Sequence, residues 1–134
     1  MNRLKFRIWD NHTERYVTFV YETNKDCYLF IGRSGYVTAF NCYGEEIDFE
    51  DDRFIVQQYT GLQDRDGKDI IEGDILERVR SPGEKHNYYQ VVWHNYMYIA
   101  ICLRKNYSHC LDQFSEVKQT KIVGNIFENK KLLN

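Results

Sequence analysis

Leu4, Phe6 and Ile8 alternate with Lys5 and Arg7, and a second alternating run fills residues 16–21 beyond the polar stretch 10–14. A period of two sends apolar side chains to one face of a strand, so these runs predict an opening hairpin. Residues 27–31 and 36–40 flank Gly32-Arg33-Ser34-Gly35, which predicts a second hairpin, because glycine readily takes the positive φ of a tight turn. Further strands are predicted over 54–59, 75–79 and 122–127, with a turn at Asp64-Arg65-Asp66-Gly67 and a Gly73-Asp74 step leading into the second of them. In residues 88–94, Tyr89, Val91 and Trp93 share a face; in residues 96–103, Met97, Ile99, Ile101 and Leu103 share a face. The short turn at Asn95 joins these runs into a third hairpin, with Tyr96 and Tyr98 on its outward side. Leu111, Phe114 and Val117 fit either one short helix or a loop, and residues 129–134 predict a helical turn capped by Asn129.

The acidic stretch 41–53, turning at Gly44, divides this pattern into an N-terminal β-rich lobe, 1–52, and a C-terminal lobe, 53–134, that reads as a small barrel. With 134 residues the chain can bury a core without covalent staples, and its eleven Tyr and eight Phe suit half-buried strands. A formal charge of −2 is far from the basic balance of general polyanion binders, which work by displacing counterions from phosphate, and gives no hint of such a partner. Charge is nonetheless uneven. Residues 45–52 hold six carboxylates, whereas Arg78, Arg80, Lys85, Arg104 and Lys105 make the central region basic; both read as solvated faces. No segment approaches the ~20 apolar residues of a membrane span, and the basic start lacks an apolar leader core, so a cytoplasmic protein without a membrane partner is expected. Cys27, Cys42, Cys102 and Cys110 lack C-x-x-C spacing, and four reduced thiols are expected.

Candidate chemistry is sparse. Asp64, Asp66 and Asp69 suggest a calcium loop, but the register places Asp69 and Ile75 where that loop needs Gly and Glu, so a surface Asp-Gly turn is the better reading. Glu72-Gly73-Asp74 offers two carboxylates with no nucleophile or base identifiable beside them, which favours a structural entry into the next strand. His94, Cys102, His109 and Cys110 are the residue types of a cysteine enzyme or soft-metal site, though their spacing does not require them to meet. The sharpest candidate surface combines Trp93, Tyr96 and Tyr98 with Arg78, Arg80, Arg104 and Lys105. That mixture fits a protein partner or another copy of the chain, and secondarily the stacking faces and cations that single-stranded nucleic acid uses.

Three segments, LKFRIWD at 4–10, QYTGLQDRDGKDIIEGDIL at 58–76 and IVGNIFEN at 122–129, resemble the YopX family of small phage and prophage proteins. Lys130 departs from the pattern, standing where the family usually carries Pro. The resemblance implies a β-rich N-terminal lobe, a C-terminal barrel of the Src-homology-3 type, and no reaction. The expectation is therefore an accessory protein that self-associates or binds an unidentified phage or host protein, without catalysis or cofactor. A nucleic-acid-binding barrel is the first alternative and a metal- or cysteine-dependent enzyme the second.

Overall fold

A computed structural model of the chain describes residues 5–17, 27–31, 36–41, 43–78, 87–103, 108–110 and 117–133, with 27–30, 41, 108–110 and 117 followed by backbone alone. The described chain is mainly β. Its strands are β1 (Phe6–Asp10), β2 (Arg15–Tyr16), β3 (Cys27–Ile31), β4 (Val37–Asn41), β5 (Glu46–Ile47) and β6 (Phe54–Gln63). They continue as β7 (Asp69–Ile71), β8 (Asp74–Arg78), β9 (Asn87–His94), β10 (Met97–Cys102), β11 (Ser108–Cys110) and β12 (Thr120–Asn125). Contacts group the chain into a main unit, Met1–Lys5 with Gln58–Asn134, and an inserted unit, Phe6–Gln57.

In the inserted unit, β1 pairs with β2 in the register Trp9↔Tyr16 and Asp10↔Arg15. Polar side chains fix this corner. Gln57 is buried, and its Oε1 accepts bonds from Arg7 Nε at 2.7 Å and Tyr16 Oη at 2.8 Å. Asp10, also buried, accepts two bonds of 3.1 Å from the Arg53 guanidinium and one of 2.9 Å from the His12 N–H. Burial pushes the Asp10 carboxyl upward, but these donors outweigh it and hold the group below its ordinary pKa. Separately, β3, β4 and β5 form an antiparallel sheet in that order.

In the main unit, five strands run in the order β11-β10-β9-β8-β12, a curled half-barrel. Lys5 belongs here as well, its carbonyl accepting the Tyr59 N–H at 2.9 Å. The core gathers Ile70, Leu76, Tyr89, Val91, Ala100 and Cys102, with Leu62, Tyr98 and Ile122 packed against it. Small faces large across β9 and β10: Tyr89 pairs with Cys102 and Val91 with Ala100. That pairing corrects the expected placement of Tyr98. Residues 97–103 are apolar at both parities, and the core takes the face of Tyr98, Ala100 and Cys102, whose small members fit beside Tyr89, leaving Ile99 and Ile101 half-buried.

The expected helix over 111–117 lies outside the described residues except for its last position, which opens a 3-10 turn at Val117–Gln119. A second 3-10 turn forms at Lys130–Leu133, but Asn129 does not cap it with its side chain, whose oxygen accepts from the Asn125 N–H at 3.1 Å.

Candidate functional site

The segments that carry the family resemblance are spent largely on the backbone. Asp64 is buried; its Oδ1 accepts the N–H groups of Asp66 and Lys68, both at 2.9 Å, and its Oδ2 accepts that of Ile122 at 3.0 Å. Burial pushes this carboxyl upward, and the three N–H donors more than reverse the effect, so its pKa lies below the ordinary value. Those oxygens tie the turn to β12. Asp74, likewise buried, accepts the Ile71 N–H at 2.8 Å. Between them Gly73 sits at φ +87°, donates to the Val91 carbonyl at 2.8 Å and accepts from the Ile126 N–H at 3.0 Å. At the other end, Asn125 Oδ1 accepts the N–H groups of Phe127 and Glu128. A Cβ at Gly124 would lie 2.6 Å from Asn129 Cγ, so only glycine lets that clasp close.

Of the cysteine and histidine candidates, His94 stands apart. Cys102 is buried opposite Tyr89, whereas His94 pairs with Met97 at the other end of the hairpin, roughly 17 Å away at strand spacing. The backbone sets His109 opposite Ala100 and Cys110 opposite Ile99.

The β9–β10 hairpin turns on two residues, Asn95 at φ +48° and Tyr96 at φ +64°. Positive φ at both central positions is the type I′ geometry that matches strand twist, for which Asn-Gly is the strain-free choice. Tyr96 occupies the glycine position and is 94% exposed. Trp93 (48% exposed) and Met97 (43%) flank it. Trp93 meets the Tyr98 ring edge-to-face at 4.7 Å, and Tyr98 rests on the core, which props the tip from below. Burial, then the charge of Glu72, raises the Tyr98 phenol above its ordinary pKa. Arg78, half-buried at the end of β8, pairs with Asn87 and Thr120 rather than standing at the tip. Arg80, Arg104 and Lys105 lie outside the described residues.

A second feature lies wholly within the inserted unit, where an open groove of about 850 Å³ runs beside β4, β5 and the start of β6. Val37, Ile47, Phe49, Phe54, Ile55 and Val56 give it apolar walls, with Phe49 and Phe54 in edge-to-face contact at 4.9 Å. Glu46, Asp48, Asp51 and Asp52 also line it, and among the described residues no Lys, Arg or His does. Among the described residues these four carboxylates make no ion pair. Arg53, beside the lining residues Asp52 and Phe54, ion-pairs with Asp10. The sequence showed the charges but not the groove, because its apolar walls come from segments that meet only in the folded unit.

A scan against family models matches the YopX protein family over residues 5–134. Among solved structures, YopX from Bacillus subtilis superposes with a TM-score of 0.63 at 16% identity, covering 100% of both chains. A protein from Enterococcus faecalis superposes with a TM-score of 0.61 at 20% identity, covering 98% of this chain and 99% of its own. At these identities the two structures are similar in fold alone. No curated protein matches the chain in sequence. With the match running from Lys5 to the last residue, over the three motifs whose backbone roles are given above, the chain belongs to the YopX family.

Proposed function

We propose that this protein is a non-catalytic binding module that assembles with further copies of itself through the tip of the β9–β10 hairpin. The observation that carries this reading is Tyr96, a bulky residue at φ +64° and 94% exposed where glycine would be unstrained. A side chain held at positive φ costs on the order of 1 kcal/mol, and such cost concentrates where a residue is kept for what it touches. Trp93 and Met97 extend the patch, and aromatic and Met side chains are enriched in interface cores. The family resemblance supports a phage or prophage accessory role, with an unidentified phage or host protein as the alternative occupant of the same tip.

Light scattering behind a sizing column tests this. Wild type should run heavier than the 16.2 kDa chain across a tenfold concentration range, and Tyr96→Gly should run as a single chain. Because glycine relieves the turn, the variant should also melt at or above the wild-type temperature. A wild-type mass of one chain throughout would overturn self-association, and salt-sensitive retention on single-stranded oligonucleotide would favour the nucleic-acid alternative.

A further inference from the structure

We infer that the groove of the inserted unit is a docking site for an extended cationic segment of a partner protein, one in which Lys or Arg alternates with apolar side chains. Two properties coincide there. The walls are apolar, with Ile47 and Tyr36 left 36% and 76% exposed, so something apolar gains by covering them. The same lining carries Glu46, Asp48, Asp51 and Asp52 without a cation among its described residues. An occupant that buried the apolar surface while leaving four carboxylates uncompensated would forfeit much of the gain, so the occupant supplies positive charge.

The distribution of charge narrows the class further. Among the described residues no group of three or more His, Cys, Asp or Glu is placed to hold a metal ion, so the carboxylates suit several cations on a chain better than one ion. Nucleic acid and anionic lipid carry the wrong sign for this face. An extended segment can meet both kinds of lining residue, since period-two alternation gives it one apolar and one basic row of side chains. The groove and the hairpin tip are separate surfaces on separate units, so each can fail without the other.

The test uses the full chain and a short labelled peptide alternating lysine with leucine, followed by fluorescence anisotropy. Binding is expected, weakening as salt rises, with no binding of a glutamate–leucine counterpart. Asp48→Lys with Asp51→Lys should weaken it at least about tenfold, and Ile47→Ser with Tyr36→Ser by about fivefold. These side chains are exposed or at the groove edge, so melting temperatures should stay near wild type, which separates lost binding from lost folding. The monomeric Tyr96→Gly variant should bind the peptide like wild type, whether or not self-association holds. Absence of binding would overturn the inference. So would equal binding of a lysine–serine peptide, or indifference to the Ile47 and Tyr36 changes, either of which would reduce the effect to diffuse attraction toward an acidic surface.

Discussion

Asp64 is the residue whose replacement should be felt most widely in the main unit. Asp64→Ala removes the acceptor for three N–H groups. Asp66 and Lys68 are exposed, so water can replace the carboxylate there at a cost of about 1 kcal/mol each, whereas the half-buried Ile122 N–H loses its partner at about 2 kcal/mol. The sum is about 4 kcal/mol, or roughly 12 °C in melting temperature for a chain of this size. Asp64→Asn separates the two roles. Its remaining oxygen can still close the turn, but its NH2 then faces the Ile122 N–H, so about half of the loss should persist. Equilibrium urea unfolding, followed by Trp fluorescence, measures both variants. Asp64→Asn unfolding at the wild-type midpoint would refute the tie to β12, and Asp64→Ala doing so would refute the whole account. Acid adds a check. The folded Asp64 has a pKa below its unfolded value, so its stabilisation is present above about pH 4 and is lost as pH falls further. Asp64→Ala should therefore show a shallower acid slope than wild type.

Gly73→Val places a β-branched side chain at φ +87° in a buried turn and should lower the melting temperature by at least about 5 °C; a variant melting like wild type would remove the strain argument there. Gly124→Ala should cost about 1–2 kcal/mol by driving a Cβ into Asn129, and Asn129→Gly in the same chain should recover part of that loss. Thiol titration in denaturant without reductant should find four free thiols, with Cys102 reacting only after unfolding; two or none would overturn the expectation of reduced cysteines.

The hairpins were legible because two alternating runs separated by a short polar or glycine-bearing turn leave little choice of pairing, as at Asn95. Faces were less legible. Between Met97 and Leu103 every residue is apolar, so alternation cannot select Tyr98 over Ile99, and the decision falls to the volume of Tyr89 on the neighbouring strand. Strands β5 and β7, of two and three residues, are too short to show a period; one sits within the acidic stretch and the other behind the Asp-Gly turn. Strand β6 runs to Gln63, past the expected end at 59, through Gly61 at φ +88° and a shifted register against β7. Of the candidate surface, exposure of Trp93 and Tyr96 follows from their position at a hairpin tip. The groove could not be read in advance, since carboxylates in sequence do not reveal which apolar walls they will border.

The bond between the Lys5 carbonyl and the Tyr59 N–H brackets the whole of Phe6–Gln57, so the main unit is interrupted by the inserted one rather than preceding it. During translation this fixes an order of assembly. The described residues that wall the acidic groove have been synthesised by Val56, while the main unit still awaits β7 to β12 and the Asn125–Asn129 clasp. At roughly 5–20 residues per second, several seconds separate the two events. On the reading proposed above, a cationic partner would meet its groove on the ribosome-bound chain before the hairpin tip through which copies are proposed to assemble has been made.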